Sequence, residues 1–250
     1  MDLGISGRRA LVAGASRGIG RGIAQALVAE GVAVAVASRS QEAIAATAAE
    51  IGATGLVWDS ADLDAAPALV AAAQAALGGP LDILVCNTGG PPADPDPLAF
   101  TARQWEEAHR SLVQAPVALA ALVVPGMRER GFGRLLNVAS TSVREPIGNL
   151  MLSNAERSAA LAAWKTIARE VAADGVTLNT LLPGRILTDR LVSLAGSAER
   201  AEELARAAVP ARRTGRVEEI AAVGAFLCGV SAAYVTGAAI PVDGGMLQAI

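Results

Sequence analysis

Seven residues, "GASRGIG", hold the clearest chemistry in the chain: Gly14, Ala15, Ser16, Arg17, Gly18, Ile19 and Gly20. Glycines at this spacing let a backbone turn tightly and approach a pyrophosphate, while a following helix N-terminus offers free N–H groups and a positive dipole end. Glycines also serve ordinary turns, so the context decides. Here the segment follows an apolar run, "RRALVAG", and opens the helical stretch "GIGRGIAQALVAEG", which is the setting a dinucleotide site requires. Further on, "VAVAS" ends in Ser38 and is followed by Arg39. An acid there would accept hydrogen bonds from an adenosine ribose and repel a 2′-phosphate. Ser38, Arg39 and Arg17 instead suit a phosphate, and NADP(H) is the expected cofactor. The plain alternative is a pair of solvated surface arginines.

The elements that position these residues alternate along the whole chain. Short apolar runs ("RALVA", "VAVAVAS", "ATGLVWD", "LDILVCN", "GRLLNVAS", "GVTLNTLLPG", "GAAIPVDGG") are separated by helical stretches. This pattern predicts βαβ units, hence an α/β, Rossmann-type, doubly wound parallel sheet of about seven strands. A long helical region over 101–130 contains Pro116, an expected kink. A helix is predicted over 150–173 and a helical excursion over 187–213, the expected substrate lid. No linker or repeat interrupts 1–250, so one domain is the economical count.

Composition narrows the function. Apolar residues make up 52% and aromatics 3%, so Ala, Val, Leu and Ile must build the core. A net charge of -3 without a basic stretch argues against nucleic acid. The N-terminal order is not that of a signal peptide, and the apolar run "APVALAALVVPG" is too short to span a bilayer. No membrane association is expected. Cys86 and Cys228 form no motif, which fits a reduced, cytoplasmic setting and no metal site. Lys165, Tyr234 and His109 are each the only residue of their type.

With these motifs in place, the chain resembles a short-chain dehydrogenase/reductase, closest in character to the 3-oxoacyl-(acyl carrier protein) reductase-like branch. "GASRGIG" resembles the family's glycine motif. "WDSAD" resembles the segment after strand three and implies adenine contacts at Asp59 and Ser60. "CNTGG" resembles the Asn-Asn-Ala-Gly stretch, with Asn87 and Gly89 kept. "NVAS" ends in Ser140, at the catalytic serine's place. "LLPGRILTD" resembles the segment that brackets the nicotinamide and implies Pro183, Gly184, Ile186 and Thr188. The resemblance further implies a small-molecule substrate and a homo-oligomer, a dimer or tetramer.

The catalytic set departs from the family. Leu112 occupies the asparagine's place, Ser153 the tyrosine's and Arg157 the lysine's, while Ser140 is retained. Tyr234 lies in "AAYVTG", where relatives keep an aromatic for packing, and Lys165 lies two turns beyond Arg157; both read as structural. A serine hydroxyl is a far weaker acid than a phenol, and a guanidinium stays protonated. The expected result is a site that keeps the cofactor, with Arg157 at the nicotinamide ribose, and lacks its general acid. His109 reads as packed or as a subunit contact, with a proton donor the alternative. Arg144 and Glu145 would either grip a substrate or pair with each other. The leading reading is an NADP(H)-dependent oxidoreductase with an atypical active site, transferring hydride to a carbonyl or activated substrate. The alternatives are an inactive NADP(H)-binding sensor or oligomer partner, and a Ser/Arg lyase like the halohydrin dehalogenases.

Overall fold

Alternation of side chains sets the architecture. In β1 (Arg9–Ala13), Ala10 and Val12 pack on one face of the sheet and Leu11 and Ala13 on the other, all buried. A strand apolar on both faces must be covered on both, as a parallel sheet requires. The computed structural model, which describes residues 2–249, shows this arrangement. The elements run β1, α1 (Gly18–Ala29), β2 (Ala33–Ser38), α2 (Gln41–Ile51), β3 (Thr54–Val57), α3 (Ala66–Leu77), β4 (Ile83–Cys86), α4 (Ala102–His109), α5 (Ala115–Glu129), β5 (Gly133–Val138), α6 (Met151–Val171), β6 (Val176–Pro183), α7 (Asp189–Ala195), α8 (Ala198–Ala208), α9 (Val217–Cys228) and β7 (Ala239–Val242). The seven strands are parallel, in the order β3-β2-β1-β4-β5-β6-β7.

One core layer joins the sheet to α1, α2 and α9, through Ile23, Leu27, Ile44 and Ile220. The other joins it to α3, α5 and α6, through Leu69, Leu119, Met127 and Trp164. Small residues allow close approach where helices meet. A Cβ on Gly22 would lie 2.4 Å from Val217 of α9. The order of the strands reverses direction between β1 and β4, and ligands of such sheets bind outside the carboxyl ends of the strands at that switch. The fold therefore points at the loops after β1, β4, β5 and β6.

Three expectations need correction. The stretch 101–130 is continuous helix with a π-helical turn, Arg110–Gln114, between α4 and α5. Pro116 has no N–H for a carbonyl four residues back, and the wider turn just before it absorbs that mismatch without a break. Prolines therefore do not end the apolar run. By length and composition, Ala102–Glu129 is the one helical run among the described residues long and apolar enough to cross a membrane. Leu112, Leu119, Val123 and Met127 on it are all buried in the protein. Tyr234 packs against nothing in its own chain and is fully exposed, at 102%.

Candidate active site

A cavity of about 1490 Å³ opens along the carboxyl ends of β1, β2, β4, β5 and β6. It exceeds the ~300–1,000 Å³ of most small-ligand sites and is large enough for a dinucleotide plus a substrate.

The glycine turn forms one wall. Gly14 and Gly18 adopt φ of 69° and 59°, a region that favours glycine. Gly14 has a second constraint: a Cβ there would lie 1.5 Å from the Asn87 carbonyl oxygen. The loops after β1 and β4 are thus in contact, and Asn87 ties them by donating from Nδ2 to Gly14 O at 2.7 Å. From α2, the buried Thr47 donates to Ser16 O at 2.9 Å and fixes the turn from beneath. Gly14, Ser16, Arg17, Gly18 and Ile19 line the cavity, as do Ser38 and Arg39. Arg17 reaches across to Asp189 at 3.4 Å, with both side chains well exposed. Ser38 Oγ donates to Ser40 O at 3.4 Å.

Two expected cofactor residues lie off the cavity. Gly20 packs beneath the turn, where a Cβ would lie 2.4 Å from Gly14 O and 2.6 Å from Asn87 Nδ2; its smallness serves that approach. Asp59 Oδ1 accepts from Ala61 N at 3.0 Å and holds a local turn. Its neighbours Trp58 and Ser60 face the cavity instead.

Ser140, Ser153 and Arg157 line the deeper end, with Asn87, Gly89, Pro183, Gly184, Ile186 and Thr188. Ser140 Oγ accepts from Ser142 N at 3.1 Å, just past β5. Ser153 and Arg157 stand one turn apart on α6. Arg157 donates from Nε to Ser153 Oγ at 3.1 Å and from Nη1 to Val138 O at 2.8 Å. These bonds fix the guanidinium between α6 and the end of β5. Desolvation, and then the nearby charge of Arg190, bring its pKa down to about 10, which leaves it cationic at neutral pH. Among the described residues, no tyrosine, lysine or histidine lines the cavity.

The other candidates have structural roles. His109 Nδ1 sits 2.8 Å from Glu156 Oε2, between α4 and α6 and off the cavity. Lys165 Nζ donates to Gly237 O at 2.9 Å, joining α6 to the approach of β7. Glu145 neither pairs with Arg144 in a salt bridge nor faces the cavity. Its Oε1 accepts from the backbone N–H groups of Gln248 and Ala249 at 2.7 Å each. Leu191, Ser193, Leu194 and Leu204 of the 187–213 excursion line the mouth. Arg185 and Arg190, also on the cavity, were missed by the sequence reading. The available signal was their position on both sides of Ile186 and Thr188 in "GRILTDR".

Comparison with known proteins gives a consistent neighbourhood. The sequence model of a family described as Enoyl-(Acyl carrier protein) reductase matches residues 14–247. The chain is 36% identical over 243 residues to 3-oxoacyl-(acyl-carrier-protein) reductase MabA of Mycobacterium tuberculosis, covering 96% of this chain and 92% of that protein. It is 34% identical over 248 residues to the corresponding reductase FabG of Escherichia coli K12, covering 98% and 99%. Among solved structures, L-sorbose reductase from Gluconobacter frateurii, complexed with NADPH and L-sorbose, superposes with a TM-score of 0.90 at 32% identity over 100% of both chains. A 3-oxoacyl (acyl-carrier-protein) reductase from Agrobacterium tumefaciens with NADP bound superposes with a TM-score of 0.91 at 30% identity, covering 98% of this chain and 96% of that one.

Proposed function

The chain belongs to the short-chain dehydrogenase/reductase family, and on that premise we propose that it is an NADP(H)-dependent oxidoreductase with an atypical active site. The observation that carries this reading is the single cavity joining the glycine turn to Ser140, Ser153 and Arg157. Its cradle fits the cofactor: Gly14 and Gly18 bring backbone close to where a pyrophosphate would lie. Arg17, Ser38 and Arg39 would hold the 2′-phosphate, and Trp58 and Ser60 would face the adenine. Asn87, Gly89, Pro183, Gly184, Ile186 and Thr188 would enclose the nicotinamide half. Bound there, the nicotinamide supplies or accepts hydride.

The protein's own groups then have limited work. Ser140 and Ser153 can hydrogen-bond a substrate oxygen. Arg157 supplies fixed positive charge beside it and steadies Ser153. Among the described residues, the cavity offers no phenol, imidazole or amine to deliver a proton, and general acid catalysis is worth ~10²–10⁴ in rate. Substrates that need little protonation, such as quinones, iminium ions and activated alkenes, suit this set. The same lack favours a second reading, cofactor binding without turnover. A lyase of the halohydrin-dehalogenase type would retain Ser153 and Arg157 but has no use for the glycine cradle.

Fluorescence titration with NADPH is the first test. Saturable binding is expected, and its absence overturns the proposal. A turnover screen with the bound cofactor then separates the two readings. We also propose a dimer or tetramer, supported by the fully exposed Tyr234 beside β7. A monomeric mass by light scattering at micromolar protein would overturn that assembly.

A further inference from the structure

The deep end of the cleft carries more positive charge than its own acids balance. Arg17, Arg39, Arg157, Arg185 and Arg190 line the cavity, and among the described residues Asp189 is the one carboxylate lining it, already paired with Arg17. Arg17 and Arg39 belong to the adenosine end. Arg157, Arg185 and Arg190 lie toward the other end. Arg157 is fixed by Ser153 and Val138, and those two bonds use two of its five N–H groups. Arg190 comes from α7 and crosses to the loop after β4, donating from Nη2 to Pro91 O at 2.8 Å. Its guanidinium lies against Gly90, with Nε and Nη2 each 3.3 Å from where a Cβ would be. Arg185 Nε is buried with no hydrogen-bond partner among the described residues. Like charges brought together without a counter-ion disfavour one another. An anion placed between them would relieve that cost.

We infer that Arg157 and Arg190, with the hydroxyls of Ser140 and Ser153, form a subsite for a carboxylate of the substrate. The substrate class is then a small hydride acceptor that bears a carboxylate, and not a neutral one. A planar guanidinium fork matches a planar carboxylate at two points, whereas a hydroxyl pair alone does not discriminate charge. The assignment rests on the cleft being that of an NADP(H)-dependent oxidoreductase. Apolar side chains of Ile147, Leu150 and Leu194 on the same cavity would cover the rest of a small substrate.

Calorimetry with oxamate, an inert small carboxylate, tests this on the protein with and without NADP⁺. Oxamate should bind, and neutral oxamide should not. Arg190→Gln, at an exposed position, should weaken oxamate about tenfold or more, as loss of a charge-assisted hydrogen bond predicts. Arg157→Gln should do the same, with circular dichroism checking its fold. The subsite is overturned if oxamide binds as well as oxamate, if inorganic phosphate binds more tightly than oxamate, or if Arg190→Gln leaves oxamate affinity unchanged. Arg190→Gln weakening NADP⁺ alone would assign that arginine to the cofactor and also overturn it. If NADP⁺ fails to bind while oxamate binds in an Arg190-dependent way, the oxidoreductase reading falls and the subsite stands.

Discussion

The two ends of the cleft are built on different principles. At the glycine turn, position is set by backbone. Gly14 sits under the Asn87 carbonyl, and Asn87 and Thr47 both bond to backbone oxygens of the turn. At the far end, position is set by a side chain: Arg157 bridges Ser153 and Val138 O. A backbone-built site accepts few substitutions and can serve many relatives unchanged. A side-chain-built site can change its chemistry with one or two residues while the sheet beneath it stays the same. By that contrast, a change at Ser153 or Arg157 would alter the chemistry of the far end and leave the glycine cradle in place.

The largest expected effect tests the side-chain end. Reduction of an acetoacetyl thioester should be slower than in relatives that keep the tyrosine, by ~10²–10⁴, because no tyrosine, lysine or histidine among the described residues lines the cavity. Ser153→Tyr with Arg157→Lys should recover part of that rate, and each change alone should recover less, since a phenol needs the neighbouring cation to become a usable acid. A rate usual for the family in the unmodified protein would show that a proton arrives by another route.

Next in size is a break at the backbone end. Gly14→Ala forces a Cβ to 1.5 Å from Asn87 O, at a φ of 69°. The loops must part, at a cost of roughly 2–4 kcal/mol in stability, and NADPH binding should be lost with it. A thermal melt and an NADPH titration check both. An unaltered melting temperature would mean that the turn is softer than its contacts indicate.

The difference between the ends also accounts for what could be seen in the sequence. The strands were legible because residues such as Leu11 and Val12 are apolar on both faces, and the glycine turn because its spacing is local. Gly20 was legible as necessary but not as to why: it fits under Gly14 O and does not face the cavity. Thr47 was invisible, since its bond to Ser16 O spans 31 residues and follows no motif. The bond that aims Arg190 was invisible for the same reason, because its partner, Pro91 O, lies 99 residues away. Asp59 was singled out by motif position, and its local role, accepting from Ala61 N, was not legible.

Arg157→Ala should weaken NADPH binding by roughly 1–3 kcal/mol through loss of a charged hydrogen bond. Arg157 stays protonated until the pH nears about 10. Its contribution should therefore be flat across neutral pH and fall as pH rises through that value. Affinity unaffected by the change would confine Arg157 to the substrate side. Arg39→Asp should act at the other end by about 1–2 kcal/mol, reversing or erasing a preference for NADPH over NADH. Equal affinities in the unmodified protein, measured by calorimetry, would mean that Arg17 and Arg39 are only solvated.

The smallest effect isolates the backbone principle. Thr47 is buried and touches the site only through Ser16 O, at 2.9 Å. Thr47→Val keeps its shape and removes the hydroxyl, leaving one carbonyl of the glycine turn without that donor. The expected cost is about 1 kcal/mol. If the hydroxyl sets the turn, the loss should appear in NADPH affinity as well as in the melting temperature, while oxamate, bound at the arginine end, should be indifferent. A fall in stability with NADPH affinity intact would make Thr47 a packing residue of α2 and leave Asn87 as the turn's effective tie. A fall in oxamate affinity of the same size would show that the two ends are mechanically one site and would dissolve the distinction between them.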